Sequence, residues 1–178
     1  MQEIAFKQNY KKYKLVLIMV GISLVFGCKF VNRQEIQNVK EPIVLRVDFN
    51  DDKLWRTICR KIENPNKVQG FRAYVDFLES DKFKNKSVVD IRKLFVEDKS
   101  YNHLFMFLVD STTINNVENP ILCVSLMNEA ENRIKFRVTP EEMWIIENNL
   151  STSNLLFEEL FYLVDKNGIF RGEIQNKR

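Results

Sequence analysis

Apolar positions along the chain change period several times, and each change marks an element. Residues 43–49, IVLRVDF, are β-branched and apolar and predict a strand. Leu54, Trp55, Ile58, Cys59 and Ile62 then fall on one face of a helix. Asn50-Asp51-Asp52 can cap it and Asn64-Pro65-Asn66 ends it. Phe71, Ala73, Val75 and Phe77 alternate with Arg72, Tyr74 and Asp76, which predicts a second strand. Ser87 caps a short helix whose apolar face is Val88, Ile91, Leu94 and Phe95. Residues 103–109, HLFMFLV, are continuously apolar, as in a strand buried on both faces.

Residues 110–120 read as a polar loop, and residues 121–127, ILCVSLM, as another buried strand. Residues 133–138, RIKFRV, alternate and pair with it as a hairpin across residues 128–132. Thr139-Pro140-Glu141-Glu142 has the form of a capping box: Thr139 as cap, Pro140 as first helical residue and Glu142 reaching back. That helix should run to about Asn149. A second starts at Ser153, with Leu156, Phe157, Leu160, Phe161 and Val164 facing inward, and Gly168 ends it. Residues 169–171 form a last edge strand.

The order is β-α-β-α-β-β-β-α-α-β. Early strand–helix alternation argues for parallel strands joined by crossovers, and the hairpin makes the sheet mixed. The expectation is a single α/β domain over residues 42–178, with a mixed sheet of about five to six strands and helices packed on it. An α+β arrangement is the alternative.

Upstream of this domain the pattern is different. Lys14 is followed by fourteen uncharged residues, 15–28, LVLIMVGISLVFGC, and Lys29 closes the run. A bilayer-spanning helix needs about 20 apolar residues, so this stretch is short for a span. Lysines, then an apolar run of this length, then small residues is the secretory signal pattern, here over residues 1–27. Val25-Phe26-Gly27-Cys28 resembles the lipobox of bacterial lipoproteins. The resemblance implies that Cys28 becomes the first mature residue and carries lipid. A short single-pass anchor with an incidental Cys is the alternative. Residues 29–41, KFVNRQEIQNVKE, read as a polar tether, able to reach roughly 45 Å if fully extended.

Charge sharpens this division. The chain has 27 basic and 24 acidic residues. Lys7, Lys11, Lys12 and Lys14 stand against Glu3 in residues 1–27, so the remainder is neutral. A neutral domain has no electrostatic footprint for nucleic acid. One His rules out sites that need several imidazoles, and the five Gly form no phosphate-binding loop. No cofactor motif is present.

The pieces LRVDFNDDKLW, GFRAYVDFLES, FLVDSTT, FRVTPEEMWIIENNLSTSNLLFEEL and GIFRG together resemble an uncharacterised bacterial domain family, catalogued as a domain of unknown function. The resemblance runs from Val44 to Gly172. Its most specific parts are the EMW-x-x-ENNLS-x-x-N stretch and the terminal FRG. The family has no assigned activity to carry over, and the lipid-anchor leader is not a usual part of it.

Four carboxylates are the best candidate site. Asp48 and Asp110 each end an apolar strand, with Asp51 and Asp52 close behind the first. On parallel neighbouring strands, Asp48 and Asp110 would face the crevice where open α/β sheets bind ligands, and hard oxygen ligands there suit Mg²⁺ or Ca²⁺. The competing expectation is that all four cap helices and orient turns. Glu147, Asn148, Asn149 and Arg171 form a candidate polar rim, with Arg171 pairing with Glu147 or Glu158. The alternative is a helix corner held by side-chain amides, the two Asn ending the helix. An oxidising compartment permits a disulfide between Cys59 and Cys123, although both also suit buried thiols. His103 reads as structural, and Trp55 and Trp144 as core.

These features imply a lipid-anchored binding or interaction module of the bacterial cell envelope, attached to a membrane and facing a protein partner. An immunity or inhibitor role is one form of it. The alternative is a metal-assisted enzyme using the strand-end carboxylates.

Overall fold

A computed structural model describes residues 30–31, 39–98, 100–127 and 133–172. Cys28, the signal-like residues 1–27 and the hairpin turn 128–132 lie outside the described residues. The elements are β1 (Phe30–Val31), β2 (Ile43–Arg46), α1 (Asp52–Glu63), β3 (Asp76–Leu78), α2 (Val88–Glu97), β4 (Phe105–Val109), α3 (Ser111–Asn115), β5 (Ile121–Ser125), β6 (Lys135–Val138), α4 (Met143–Ser151), α5 (Phe157–Phe161) and β7 (Ile169–Phe170). One mixed sheet orders the strands β1-β3-β2-β4-β5-β6-β7. Six of them belong to the expected domain. The seventh, β1, comes from the stretch expected as a free tether and pairs parallel to β3, Phe30 opposite Phe77.

Alternation along the strands builds two cores. On β2, β4 and β5, Val44, Phe105, Phe107, Val109, Ile121 and Cys123 face one way. Ile43, Leu45, Met106, Leu108, Leu122 and Val124 face the other. Side chains alternate with period two in a strand, so a continuous apolar run is needed where both faces are covered. Trp55, Ile58, Cys59 and Ile62 of α1 seal the first face, and Ile91 and Phe95 of α2 the second. Each such side chain contributes on the order of 1.5–3 kcal/mol by leaving water. The chain goes from β2 through α1 to β3, then back past β2 through α2 to β4. That reversal puts the two helices on opposite faces and places the switch point between β2 and β4, which pair in parallel.

Tyr101 ties this switch together from below. Its buried hydroxyl accepts the backbone N–H of Ile43 at 3.1 Å and donates to the carbonyl of Phe105 at 2.9 Å. Burial pushes the phenol well above its ordinary range, so it stays protonated and able to donate.

Several local expectations are corrected. Residues 71–75 join no strand, and only Asp76–Leu78 enters the sheet. Phe71 is exposed and lies over Trp144 of α4, ring centroids 4.9 Å apart, instead of filling the core. The 110–120 loop contains α3, started by Asp110. Thr139 makes no side-chain cap: Pro140–Glu142 is a tight 3₁₀ turn, and α4 begins only at Met143. Glu142 turns instead to the side-chain amide of Asn66, at 3.2 Å. Helix α4 continues to Ser151, and the left-handed residue that follows is Ser153 (φ 56°), neither Asn148 nor Asn149.

Candidate functional site

The carboxyl edge of the parallel strands is where the chemistry-bearing side chains collect, and two arginines dominate it. Arg46, the last residue of β2, has a side chain 1% exposed. Its Nε donates to the Asp48 carbonyl at 3.0 Å, Nη1 to Glu79 at 2.6 Å and Nη2 to Asp52 at 2.6 Å. The guanidinium lies 4.5 Å from the centre of the Phe49 ring and 5.7 Å from that of Trp55. Trp55 Nε1 completes the group by donating to the second Glu79 oxygen at 3.2 Å. A buried cation is tolerable only when its donors are met, and here they are met by two carboxylates, a carbonyl and aromatic faces.

Arg137 of β6 forms the second cluster, beside β4. It grips Asp110 in a two-pronged pair at 2.6 and 3.1 Å and also donates to the Pro120 carbonyl at 3.0 Å. Asp110 accepts the N–H and hydroxyl of Thr113, both at 3.0 Å, which starts α3. Burial pushes the Asp110 carboxyl upward, but the hydrogen bonds from Arg137 and Thr113 together hold it below its ordinary value.

The four candidate carboxylates therefore share an edge without converging. Asp110 directly follows β4, whereas β2 stops at Arg46 and Asp48 lies two residues beyond it; the N–H groups of Val47 and Asp48 both donate to the Val109 carbonyl. Asp48 is buried and turns into its own loop, accepting the Asn50 N–H at 2.8 Å. Asp51 caps α1 through the Leu54 N–H at 2.8 Å. Asp52 goes to Arg46, whose hydrogen bond and charge lower its carboxyl. Among the described residues no group of three or more His, Cys, Asp or Glu is gathered so as to hold a metal ion.

The polar rim is not brought together either. Arg171 holds Glu118 in a two-pronged pair at 2.9 and 2.7 Å and reaches Asp165, and neither Glu147 nor Glu158 is its partner. Glu158 pairs with Arg133. Glu147 is 5% exposed and accepts the Tyr74 N–H at 3.2 Å and the Ser151 hydroxyl at 2.8 Å; burial raises its carboxyl above the ordinary range. Asn149 bonds to Ile145 and Asn154, while Asn148 is exposed. Cys59 and Cys123 stand as separate buried thiols in one core, not as a bridge. Packing among apolar neighbours pushes the Cys123 thiol far up, which keeps it inert. His103 is half-buried against the Tyr101 ring, 5.3 Å between centroids, and burial lowers it.

Sequence reasoning found the carboxylates and missed the arginines. The signal was present: Arg46 interrupts an apolar strand, and a charge in such a run requires a buried partner. Its partners lie 6 and 33 residues away, and that of Arg137 lies 27 away, so spacing alone does not name them.

No helix among the described residues is long and apolar enough to cross a membrane. No curated protein matches the chain. A family model matches residues 41–173, and on that match the chain belongs to the family described as domain of unknown function (DUF6924).

Proposed function

We propose that the chain is a lipid-anchored binding module of the bacterial cell envelope, with the family domain held at a membrane through Cys28 and presented to a protein partner. The observation that supports it is the use of the edge carboxylates. Asp51 and Asp110 cap helices, and Asp52 and Asp110 neutralise arginines. A reaction centre needs groups whose lone pairs or protons are available to a substrate; a rigid, internally neutralised edge suits recognition by shape. An immunity or inhibitor role is the narrower form of this reading.

Metal-assisted chemistry at Asp48 and Asp110 is the rival, because those two follow the ends of adjacent parallel strands. Titration of Mg²⁺ or Ca²⁺ into the full chain in detergent decides between them. The binding-module reading expects an unchanged melting temperature and no saturable heat up to millimolar metal. A site would stabilise the fold by about 2.7 kcal/mol at one hundred times its dissociation constant. Such a shift, removed by Asp48→Asn or Asp110→Asn, would overturn the reading in favour of the enzyme.

A further inference from the structure

Residues 66–74, NKVQGFRAY, form a built turn whose side chains face water. The Asn66 carboxamide oxygen accepts the N–H groups of Val68 (2.8 Å) and Gln69 (3.1 Å), and the Asn66 carbonyl accepts that of Gly70 (2.8 Å). Gly70 has φ +74°, a conformation that suits glycine. The Asn66 N–H donates to the Phe71 carbonyl at 2.6 Å, closing the turn, and Ala73 plugs it into the core. What this fixed turn displays is apolar: Val68 is 84% exposed, Phe71 57% and Tyr74 59%. Lys67 and Arg72 are exposed beside them, and the stretch contains no Asp or Glu. Arg72 lies over the Tyr74 ring, 5.3 Å from its centre. Trp144 lies beneath Phe71, and its buried indole N–H has no acceptor among the described residues. Of the carboxylates joined to this stretch, Asp76 and Glu147 are turned to the backbone N–H groups of Lys40, Glu41 and Tyr74, and Glu142 accepts the Asn66 side-chain amide at 3.2 Å.

The position of the turn says what it meets. Strand β3 follows it directly, and β1 runs parallel to β3. The chain upstream of β1 and the turn upstream of β3 therefore leave the sheet at the same edge. Cys28 is two residues before Phe30 in the sequence, so an attachment there is a short length of chain from that edge. On the anchored reading, whether residues 15–28 are a cleaved signal ending at a lipidated Cys or a short anchor, the bilayer would begin there. Exposed aromatic and aliphatic side chains flanked by basic ones are the composition that settles into a membrane interface.

We propose that the 66–74 turn seats in the headgroup region of the anchoring membrane, with Val68, Phe71 and Tyr74 entering the interface and Lys67 and Arg72 meeting lipid phosphates. The inference rests on the anchored reading above and adds an orientation: the amino edge of the sheet at β3 faces the bilayer, and the arginine-lined carboxyl edge points away from it.

Trp144 is the probe. Chain purified from membranes of the expressing bacterium is placed in phosphatidylethanolamine–phosphatidylglycerol vesicles with brominated acyl chains near the headgroups. Tryptophan emission should fall relative to unbrominated vesicles. It should be insensitive to bromine in Trp144→Phe, which leaves only the buried Trp55, and in the doubly substituted Val68→Ser, Phe71→Ser chain, whose circular dichroism should match the native chain. A chain that pellets with the vesicles and shows equal emission in both overturns the inference alone. A chain that does not pellet overturns the anchored reading and the inference with it.

Discussion

Arg46 and Glu147 are two buried charges handled in opposite ways. Arg46 is neutralised by Glu79 and Asp52, so removing it leaves the partly buried Glu79 unpaired and strips a stacked group from Phe49 and Trp55. Arg46→Met should lower stability in urea unfolding by about 1–3 kcal/mol, the range for removing one partner from buried hydrogen bonds, because Glu79 and Asp52 keep access to water. Arg46→Lys should recover only part of this, since an ammonium has no planar fork to span both carboxylates. Glu147 has hydrogen-bond donors but no cation bonded to it among the described residues, and burial raises its carboxyl. A raised folded value means that its contribution is fully present below the unfolded value of about 4.3 and is lost as pH rises through the folded value. Glu147→Gln should therefore melt higher than the native chain at pH 7 and equal to it near pH 3, because a carboxamide serves Tyr74 and Ser151 without charge. A gap that is constant with pH, or a lower melting temperature at pH 7, would contradict this account of Glu147.

Elements with an unambiguous apolar period were legible from the residues alone: α1, β4 and β5 lie where the pattern puts them, and the mixed sheet follows from their order. The misplaced elements failed for physical reasons. Alternation at residues 71–75 reflects Ala73 and Val75, two residues apart, packing against the core from a segment that joins no strand, and such a segment shows the same period as a strand. Helix α3 is a single turn without a stripe, visible only through its Asp110 cap. Thr139-Pro140-Glu141-Glu142 has the residues of a capping box, yet Glu142 is drawn to Asn66, a contact 76 residues distant that no local pattern contains. At the edge, the positions of Asp48 and Asp110 were legible but their partners were not, because the register of β6 against β5 decides which strand residue lies beside Asp110. These differences are measurable. Asp51→Ala should cost about 1 kcal/mol, as a lost cap does. Thr139→Val should change stability by less than about 0.5 kcal/mol, as at sites that lack such a feature. A loss at Thr139 as large as that at Asp51 would mean that the Thr hydroxyl does start α4.

At the scale of the whole molecule, the sheet has two ends with different tasks. At the carboxyl edge, Arg46 and Arg137 lock β2, β3, β4 and β6 to the starts of α1 and α3. At the amino edge, Tyr101 fastens β2 to β4, and β1 pairs the stretch before the domain with β3. Because Phe30 and Val31 pair with β3, an attachment at Cys28, as proposed, would hold the domain close to the membrane. On that proposal the edge offered to partners is the far one, where the two arginine clusters lie. The proposed anchoring depends on Cys28. The direct measurement is the intact mass of the chain purified from bacterial membranes, native and Cys28→Ala, after growth with labelled fatty acid. The account predicts a native chain that begins at Cys28, carries labelled acyl groups and partitions into detergent, and a Cys28→Ala chain with no label. An unmodified native chain that begins at Met1, or label that persists in Cys28→Ala, would contradict it.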